Sequence, residues 1–290
     1  MKLIESKVEL LEQEPRLEGI YKQIELAGRT CYKSEANITP DSAKEFVERM
    51  MKSGHTAMLE HGTVYLAMPM ETVMPMEGNE WYKYHKNPYS KGGIVCEVNG
   101  ETKVAATTNY RVLVENNWLG DLQYLCEPTE FHKRRISIKF VTDRGVSHEL
   151  VRHRVFSFAQ ESTRYCNYSK DKFGNELTFI KPSWYIDGDC EDMRYAPVIS
   201  EFENSCHYAE DSYLRMLSYG ATPQEARQVL PNALKTEIVM TGFVSDWKHF
   251  FDLRYFGKTG KPHPDMLELC EKARKVLEEH DLWRLIYKPN

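Results

Sequence analysis

No apolar run in this chain of 290 residues approaches the ~20 residues that span a bilayer as a helix. The opening Met1-Lys2-Leu3-Ile4-Glu5-Ser6-Lys7 also lacks the apolar core of a secretion signal. A basic surplus is missing: 38 Lys and Arg face 43 Asp and Glu, for a net charge of −5. That excludes bulk binding to nucleic acid or to an anionic membrane, while leaving room for a local basic pocket. The seven cysteines, at 31, 96, 126, 166, 190, 206 and 270, are odd in number and none has C-x-x-C spacing. His and Cys never cluster at ligand spacing, so no metal site is expected, and a reducing cytoplasm is the expected compartment. There is no internal repeat, no low-complexity linker, no P-loop and no G-x-G-x-x-G after a strand. A dinucleotide, if bound, must be held without a Rossmann fold. Hydrophobic residues make up 41% and aromatics 12%, enough for a sizeable core.

What the chain does have is Arg152-His153-Arg154, followed by the polar run Gln160-Glu161-Ser162-Thr163-Arg164. Guanidinium forks match phosphate oxygens and hydroxyls add hydrogen bonds, a combination suited to a nucleotide or dinucleotide. A run of Arg and His at a helix end is more often solvated surface. Here Phe140-Val141, Val146, Leu150-Val151 and Val155-Phe156 surround it, and charges in apolar sequence need partners or a ligand.

Periodicity predicts strands at residues 1–12, 63–68, 135–141, 177–180 and 235–243. Helices are expected at 17–26, 41–51, 108–119, 121–125, 198–217, 246–255 and 264–279. Asp143 is expected to cap a helix that carries Glu149 and the Arg-His-Arg run at its C-terminal end. Thr222-Pro223-Gln224-Glu225 reads as a capping box with Pro at the first helical position, its helix ending before Pro231. Residues 70–103 are the least regular, and Asn99-Gly100 marks a hairpin there. The mixed order without a βαβ rhythm predicts one α+β domain over residues 1–290, with a mixed or antiparallel sheet, flanking helices and an inserted β-ribbon at 70–103.

Arg-His-Arg, seven residues, then Ser resembles the signature of the flavin-dependent thymidylate synthases. Gly28-Arg29-Thr30-Cys31-Tyr32 and the segment from Gly54-His55 to Glu60-His61 are similar to the early segments of that family. Ala226-Arg227-Gln228-Val229-Leu230-Pro231, Trp247-Lys248-His249-Phe250-Phe251-Asp252-Leu253-Arg254 and His263-Pro264-Asp265-Met266 are similar to its late ones. The resemblance implies reductive methylation of dUMP to dTMP. Methylenetetrahydrofolate and NADPH are the implied co-substrates, FAD the cofactor, and a homotetramer with shared sites the assembly.

By that resemblance Arg254 is the catalytic residue, stabilising negative charge on the uracil ring; otherwise it would pair with Asp252 or Asp265. Glu149, Arg152, Gln160, Glu161, Ser162, Thr163, Arg164, Arg227 and Arg254 are the implied dUMP contacts. For Arg227 the alternative is a surface pair with Glu225 or Glu237. His55, Glu60, Arg152, His153, Arg154, His249 and His263 are the implied FAD contacts, and His61 reads as structural. The chain departs from the family pattern at Gln160 and Glu149, where glutamate and glutamine are common, and at Ala57, Phe243 and Ser245. A cysteine nucleophile is the rival chemistry. Cys206-His207 sits among Glu203, Glu210 and Asp211, the wrong sign to activate a thiol, and Cys166 lies beside Arg164. A flavin- or nucleotide-binding protein without turnover is the rival class.

Overall fold

Polar and apolar residues alternate from Arg135 to Phe140, and the fold uses the strand Arg135–Asp143 as the spine of its largest sheet. The computed structural model describes residues 1–69, 82–98, 100–187 and 195–287. In chain order the elements are β1 (Lys2–Ile4), β2 (Lys7–Leu11), α1 (Arg16–Tyr32), α2 (Ser42–Lys52), β3 (Thr63–Pro69), α3 (Tyr82–Lys86), β4 (Lys91–Val98) and β5 (Glu101–Asn109). Then come α4 (Tyr110–Glu115), β6 (Arg135–Asp143), α5 (Arg144–Leu150), β7 (Ser157–Gln160), β8 (Thr178–Ile180), α6 (Tyr195–Ser218) and α7 (Pro223–Ala226). The chain closes with β9 (Lys235–Phe243), α8 (Val244–Arg254), α9 (Pro264–Glu279) and α10 (Trp283–Ile286).

The fold is α+β without Rossmann topology, as expected, but its strands form three sheets among the described residues. A four-stranded antiparallel sheet runs β2-β6-β9-β7, a three-stranded antiparallel sheet β3-β5-β4, and β1 pairs with β8 in parallel. Strands β6 and β9 pair along their whole length, from Arg135 opposite Phe243 to Asp143 opposite Lys235. Ile136, Ile138 and Phe140 of β6 join Ile238 and Met240 of β9 against Trp247, Phe250 and Phe251 of α8 and Met266 and Leu269 of α9. Val239, between those two β9 residues, faces the other way, in a cluster with Leu11, Ala159 and Ala27 of α1. Strand β9 is thus covered on both faces, which explains why Ile238, Val239 and Met240 are apolar in succession rather than in alternation.

Several boundaries differ from the sequence reading. Residues 1–12 break at Glu5-Ser6 into two strands that serve different sheets. Helix α1 continues to Tyr32, so Gly28 and Arg29 are helical. A Cβ at Gly28 would lie 2.5 Å from the Phe46 ring, so glycine there lets α2 approach α1. Thr108 and Asn109 belong to β5, and the Asn109 side chain caps α4. Of the expected insertion, 70–81 and Asn99 lie outside the described residues. Strands β4 and β5 do pair as an antiparallel ribbon, with Gly100 at φ +77° between them. Asp143 caps α5 as expected, by accepting from the Val146 N–H. The helix stops at Leu150, however, and Arg152-His153-Arg154 occupies the turn beyond it. That turn feeds β7, a short strand whose four residues were too few to show a period. Among the described residues no helix is long and apolar enough to cross a membrane.

Candidate functional site

The end of α8 carries Arg254, and the end of α5 carries Glu149. The two side chains meet: Arg254 Nη1 lies 2.5 Å from Glu149 Oε2, and Nη2 donates to the Glu149 carbonyl at 3.3 Å. Its Nε donates to His153 Nε2 at 3.1 Å. An arginine N–H can only donate, so His153 Nε2 carries no proton and the ring is neutral. Burial, then the Arg254 charge and His249, push the His153 pKa down to about 4. Phe250 packs edge-on to the His153 ring with centroids 5.1 Å apart, and His249 stands 6.2 Å away. Arg254 is therefore held by a carboxylate, a carbonyl and an imidazole, and pairs with neither Asp252 nor Asp265. Asp252 is taken by Lys248 and Lys258, and Asp265 accepts from the Ser183 N–H. Glu149 also lines a cleft of about 360 Å³ with Asp143, Trp184, His263 and Asp265. His263 is exposed, and its ring accepts from the Asp265 N–H at the start of α9.

A second group forms where α1 ends. Tyr32 meets His55 Nδ1 through its hydroxyl at 3.1 Å and approaches the Tyr165 ring at 5.5 Å. The Ser162 N–H donates to the Cys31 carbonyl at 3.0 Å, and Ser162 Oγ accepts from the Arg164 N–H. Arg164 lies over the Tyr165 ring, and its Nε donates to Gln224 Oε1 at 3.2 Å. Gln224 lies in α7, whose start is fixed as expected: the Glu225 carboxylate accepts from the Thr222 N–H at 2.7 Å. Arg227 follows one turn later, exposed, and makes no ion pair with Glu225 or Glu237 among the described residues.

The loop between these groups is anchored from below. Glu161 is 1% exposed, and its carboxylate is taken by Lys235 at 2.8 Å and the Tyr168 hydroxyl at 3.0 Å. Lys235 also meets Glu237, which Lys33 and Lys139 approach as well. These cations hold the Glu237 carboxyl well below its usual range, against the opposing effect of burial. Gln160 donates to Ser147 Oγ of α5 and Thr236 Oγ1 of β9, tying helix to strand. Thr163 is buried. Lys33, Lys139, Lys235 and Tyr168 escaped the sequence reading. Their signal was Lys235 and Glu237, two apart on one face of a strand that is otherwise buried.

Arg152 and Arg154 are exposed in the turn and make no ion pair among the described residues. Glu60 sits apart from both groups: its carboxylate meets Arg111 at 2.5 Å, and its carbonyl accepts from Arg135 at 3.1 Å. No hydrogen bond, ion pair or ring contact among the described residues joins Arg254, Glu149 and His153 to Arg164, Arg227 and His55. His61, read as structural, is fully buried against Thr241 Oγ1 at 2.8 Å.

The thiols are poorly placed for nucleophilic work. Burial, then Glu161, pushes Cys166 up to about 12; burial, then Glu203, pushes Cys206 up to about 11. One Cys–His pair not visible in the sequence does form, with Cys126 Sγ 3.7 Å from His132 Nε2. That nitrogen also sits 3.0 Å from the Leu66 carbonyl, and donating there leaves it unable to accept the thiol proton.

Residues 101–280 match the family model described as thymidylate synthase complementing protein. The chain belongs to this family. A flavin-dependent thymidylate synthase of Geobacter sulfurreducens is 32% identical over 111 residues, 38% of this chain and 43% of that protein. Another, of Pyrococcus furiosus, is 32% identical over 136 residues, 47% of this chain and 50% of that protein. The chain thus spans about half the length of these curated relatives. Among solved structures, a UMP/dUMP methylase from Streptomyces cacaoi aligns over 99% of this chain and 96% of its own, with 14% identity and a TM-score of 0.49.

Proposed function

We propose that the protein methylates dUMP reductively to dTMP, with methylenetetrahydrofolate as carbon donor and FAD reduced by NADPH as the hydride source. The observation that carries this reading is the fixed guanidinium of Arg254, gripped by Glu149 and His153 on a buried aromatic base. Uracil C5 is a weak nucleophile unless electron density is pushed into the ring. A cation already in position can stabilise the negative charge that this creates, without reorganising at the moment of reaction. A protein that only bound the nucleotide would have no use for such a group. The neutral His153 matters here, because a charged imidazolium would repel the guanidinium rather than accept its N–H.

Arg164 and Arg227, exposed at neighbouring points, are the proposed nucleotide phosphate contacts, with Ser162 and Thr163 beside them. Gln160 and Glu161 are engaged elsewhere, so their proposed part is to hold that loop. Arg152 and Arg154 present unpaired guanidinium groups, which suits the diphosphate of FAD. His55, Glu60, His249 and His263 would complete the flavin contacts, and the bound flavin would supply hydride chemistry that no side chain offers. Separation of the Arg254 and Arg164 groups within one chain supports a homotetramer in which subunits share each site.

The test is dTMP formation by the purified protein given dUMP, methylenetetrahydrofolate, NADPH and FAD. Flavin binding with no dTMP would replace the enzyme reading with a flavin- or nucleotide-binding protein.

A further inference from the structure

Beneath residues 161–164 the chain gathers five charged side chains from four segments. The Glu161 carboxylate meets Lys235 at 2.8 Å. Lys235 opens β9 and also reaches Glu237 of the same strand at 2.6 Å. Glu237 in turn takes Lys139 of β6 at 2.6 Å and Lys33 at 2.8 Å. Lys33 ends α1 in the left-handed region, at φ +48°, and its carbonyl accepts from Lys172 at 2.9 Å. The two acids are not equally supplied. Glu237 keeps two cations if Lys235 is removed. Among the described residues Lys235 is the one cation on the Glu161 carboxylate, whose other partner is the Tyr168 hydroxyl at 3.0 Å. The backbone leaves this loop little slack. The Glu161 N–H donates to the Glu237 carbonyl at 2.7 Å, and one residue later the Ser162 N–H donates to the Cys31 carbonyl at 3.0 Å.

We propose that Lys235 is a positioning residue for nucleotide binding, holding Glu161 so that Ser162 and Arg164 stand where the phosphate arrives. This rests on the proposed function, in which the same loop takes the nucleotide. A carboxylate 1% exposed that loses its one cation must reach water or take up a proton. Either change breaks the tie that sets the loop, and Arg164 lies only three residues beyond Glu161. A misplacement of about 1 Å can cost a site about 10² in efficiency. The Lys235 side chain is 15% exposed, so it acts from beneath the loop rather than on the ligand.

Steady-state dTMP formation by the FAD-loaded full chain tests this, with kcat expressed per bound flavin. Lys235→Met should raise KM for dUMP about tenfold while kcat stays within about threefold of wild type. Calorimetric titration of dUMP should find the same loss of affinity. A purely structural role would instead lower the folded, flavin-loaded fraction and leave KM unchanged. In an Arg164→Ala background the change Lys235→Met should add less than about threefold, because both act at one phosphate contact. Should Lys235→Met fail to fold, the Glu161→Gln, Lys235→Met double variant removes the buried charge together with its partner, and should show the same rise in KM. An unchanged KM in the folded single or double variant overturns the proposal, and so does full additivity with Arg164→Ala. If wild type methylates dUMP and the variants bind it normally, this inference alone falls. If wild type neither binds nor methylates dUMP, the proposed function falls and takes this inference with it.

Discussion

Replacing Arg254 by alanine should damage turnover far more than folding, and the surroundings of the guanidinium set both magnitudes. The side chain gives up one ion pair at 2.5 Å, a bond to a carbonyl and a bond to an imidazole. Hydrogen bonds to charged groups contribute about 1.5–3 kcal/mol when well shielded. Here the arginine side chain is 24% exposed and that of Glu149 32%, so Glu149 can rehydrate. The net stability cost should therefore be about 1–2 kcal/mol, a fall in Tm of no more than about 8 °C. Removing a preorganised charge stabiliser from an active site costs about 10²–10³ in rate, or about 2.7–4 kcal/mol. Thermal melts, flavin absorbance after dialysis and single-turnover dTMP formation, measured on one preparation, separate the two effects. Arg254→Ala should take up FAD, melt near wild type and lose methylation. Near-normal turnover would mean that the activating group lies elsewhere. A collapse in Tm with turnover per folded molecule preserved would make Arg254 a structural residue.

His153 has a pKa lowered to about 4, so the unfolded chain binds its proton first as pH falls. Stability should be level above about pH 6.5 and decline toward pH 4, by roughly 2–4 kcal/mol in all. Urea melts between pH 7.5 and 5 should show a shallower decline in His153→Asn, and an unchanged slope would contradict the neutral, buried ring. Gly242→Ala places a Cβ 2.3 Å from Phe156 Cδ1, so the ring that closes the Arg-His-Arg turn must move. Overpacking of this kind costs about 1–3 kcal/mol, and urea melts should find at least the lower figure together with weaker FAD uptake. Cys166→Ala should keep methylation activity, since its thiol is protonated at neutral pH; complete loss in a folded, FAD-loaded variant would favour a thiol nucleophile. Mixed Arg164→Ala and Arg254→Ala chains should regain partial activity once subunits exchange, whereas continued inactivity after proven exchange would place both residues in a single-chain site.

Much of the fold was legible wherever a strand or helix met one consistent environment. Strand β9 and helix α9 fall on the expected residues, 235–243 and 264–279: β9 has the apolar Ile238-Val239-Met240 at its centre, and α9 has apolar residues at helical spacing behind Pro264. Two short elements gave no signal: β7 has four residues and α10 four, less than a reliable period of either kind, whereas the equally short α7 was marked by its capping box. The Arg-His-Arg run was misplaced on a helix because local propensity does not reveal that α5 stops at Leu150. Its end is set by a turn in which the His153 N–H donates to the Leu150 carbonyl and the Phe156 N–H to the His153 carbonyl. At the candidate site, sequence identified the residue types but not their pairing. The alternative for Arg254 was a pair with Asp252 or Asp265, both closer in sequence. Its partner is Glu149, 105 residues away, a long-range contact that only the packing of α8 on the central sheet creates.

The same packing explains why charged residues survive next to the aromatic core of this sheet. His153 sits against Phe250 and receives the Arg254 N–H, where an unpaired charge would be costly. The arrangement lowers that cost by keeping one member neutral and matching the other to a carboxylate. It leaves Arg152 and Arg154, on either side of His153, turned out of the core with no counter-ion among the described residues. A chain of net charge −5 that keeps two guanidinium groups unpaired on one turn concentrates positive potential there on an acidic surface. Phosphorylated ligands would be drawn to that turn by long-range attraction, and the attraction should weaken as salt rises.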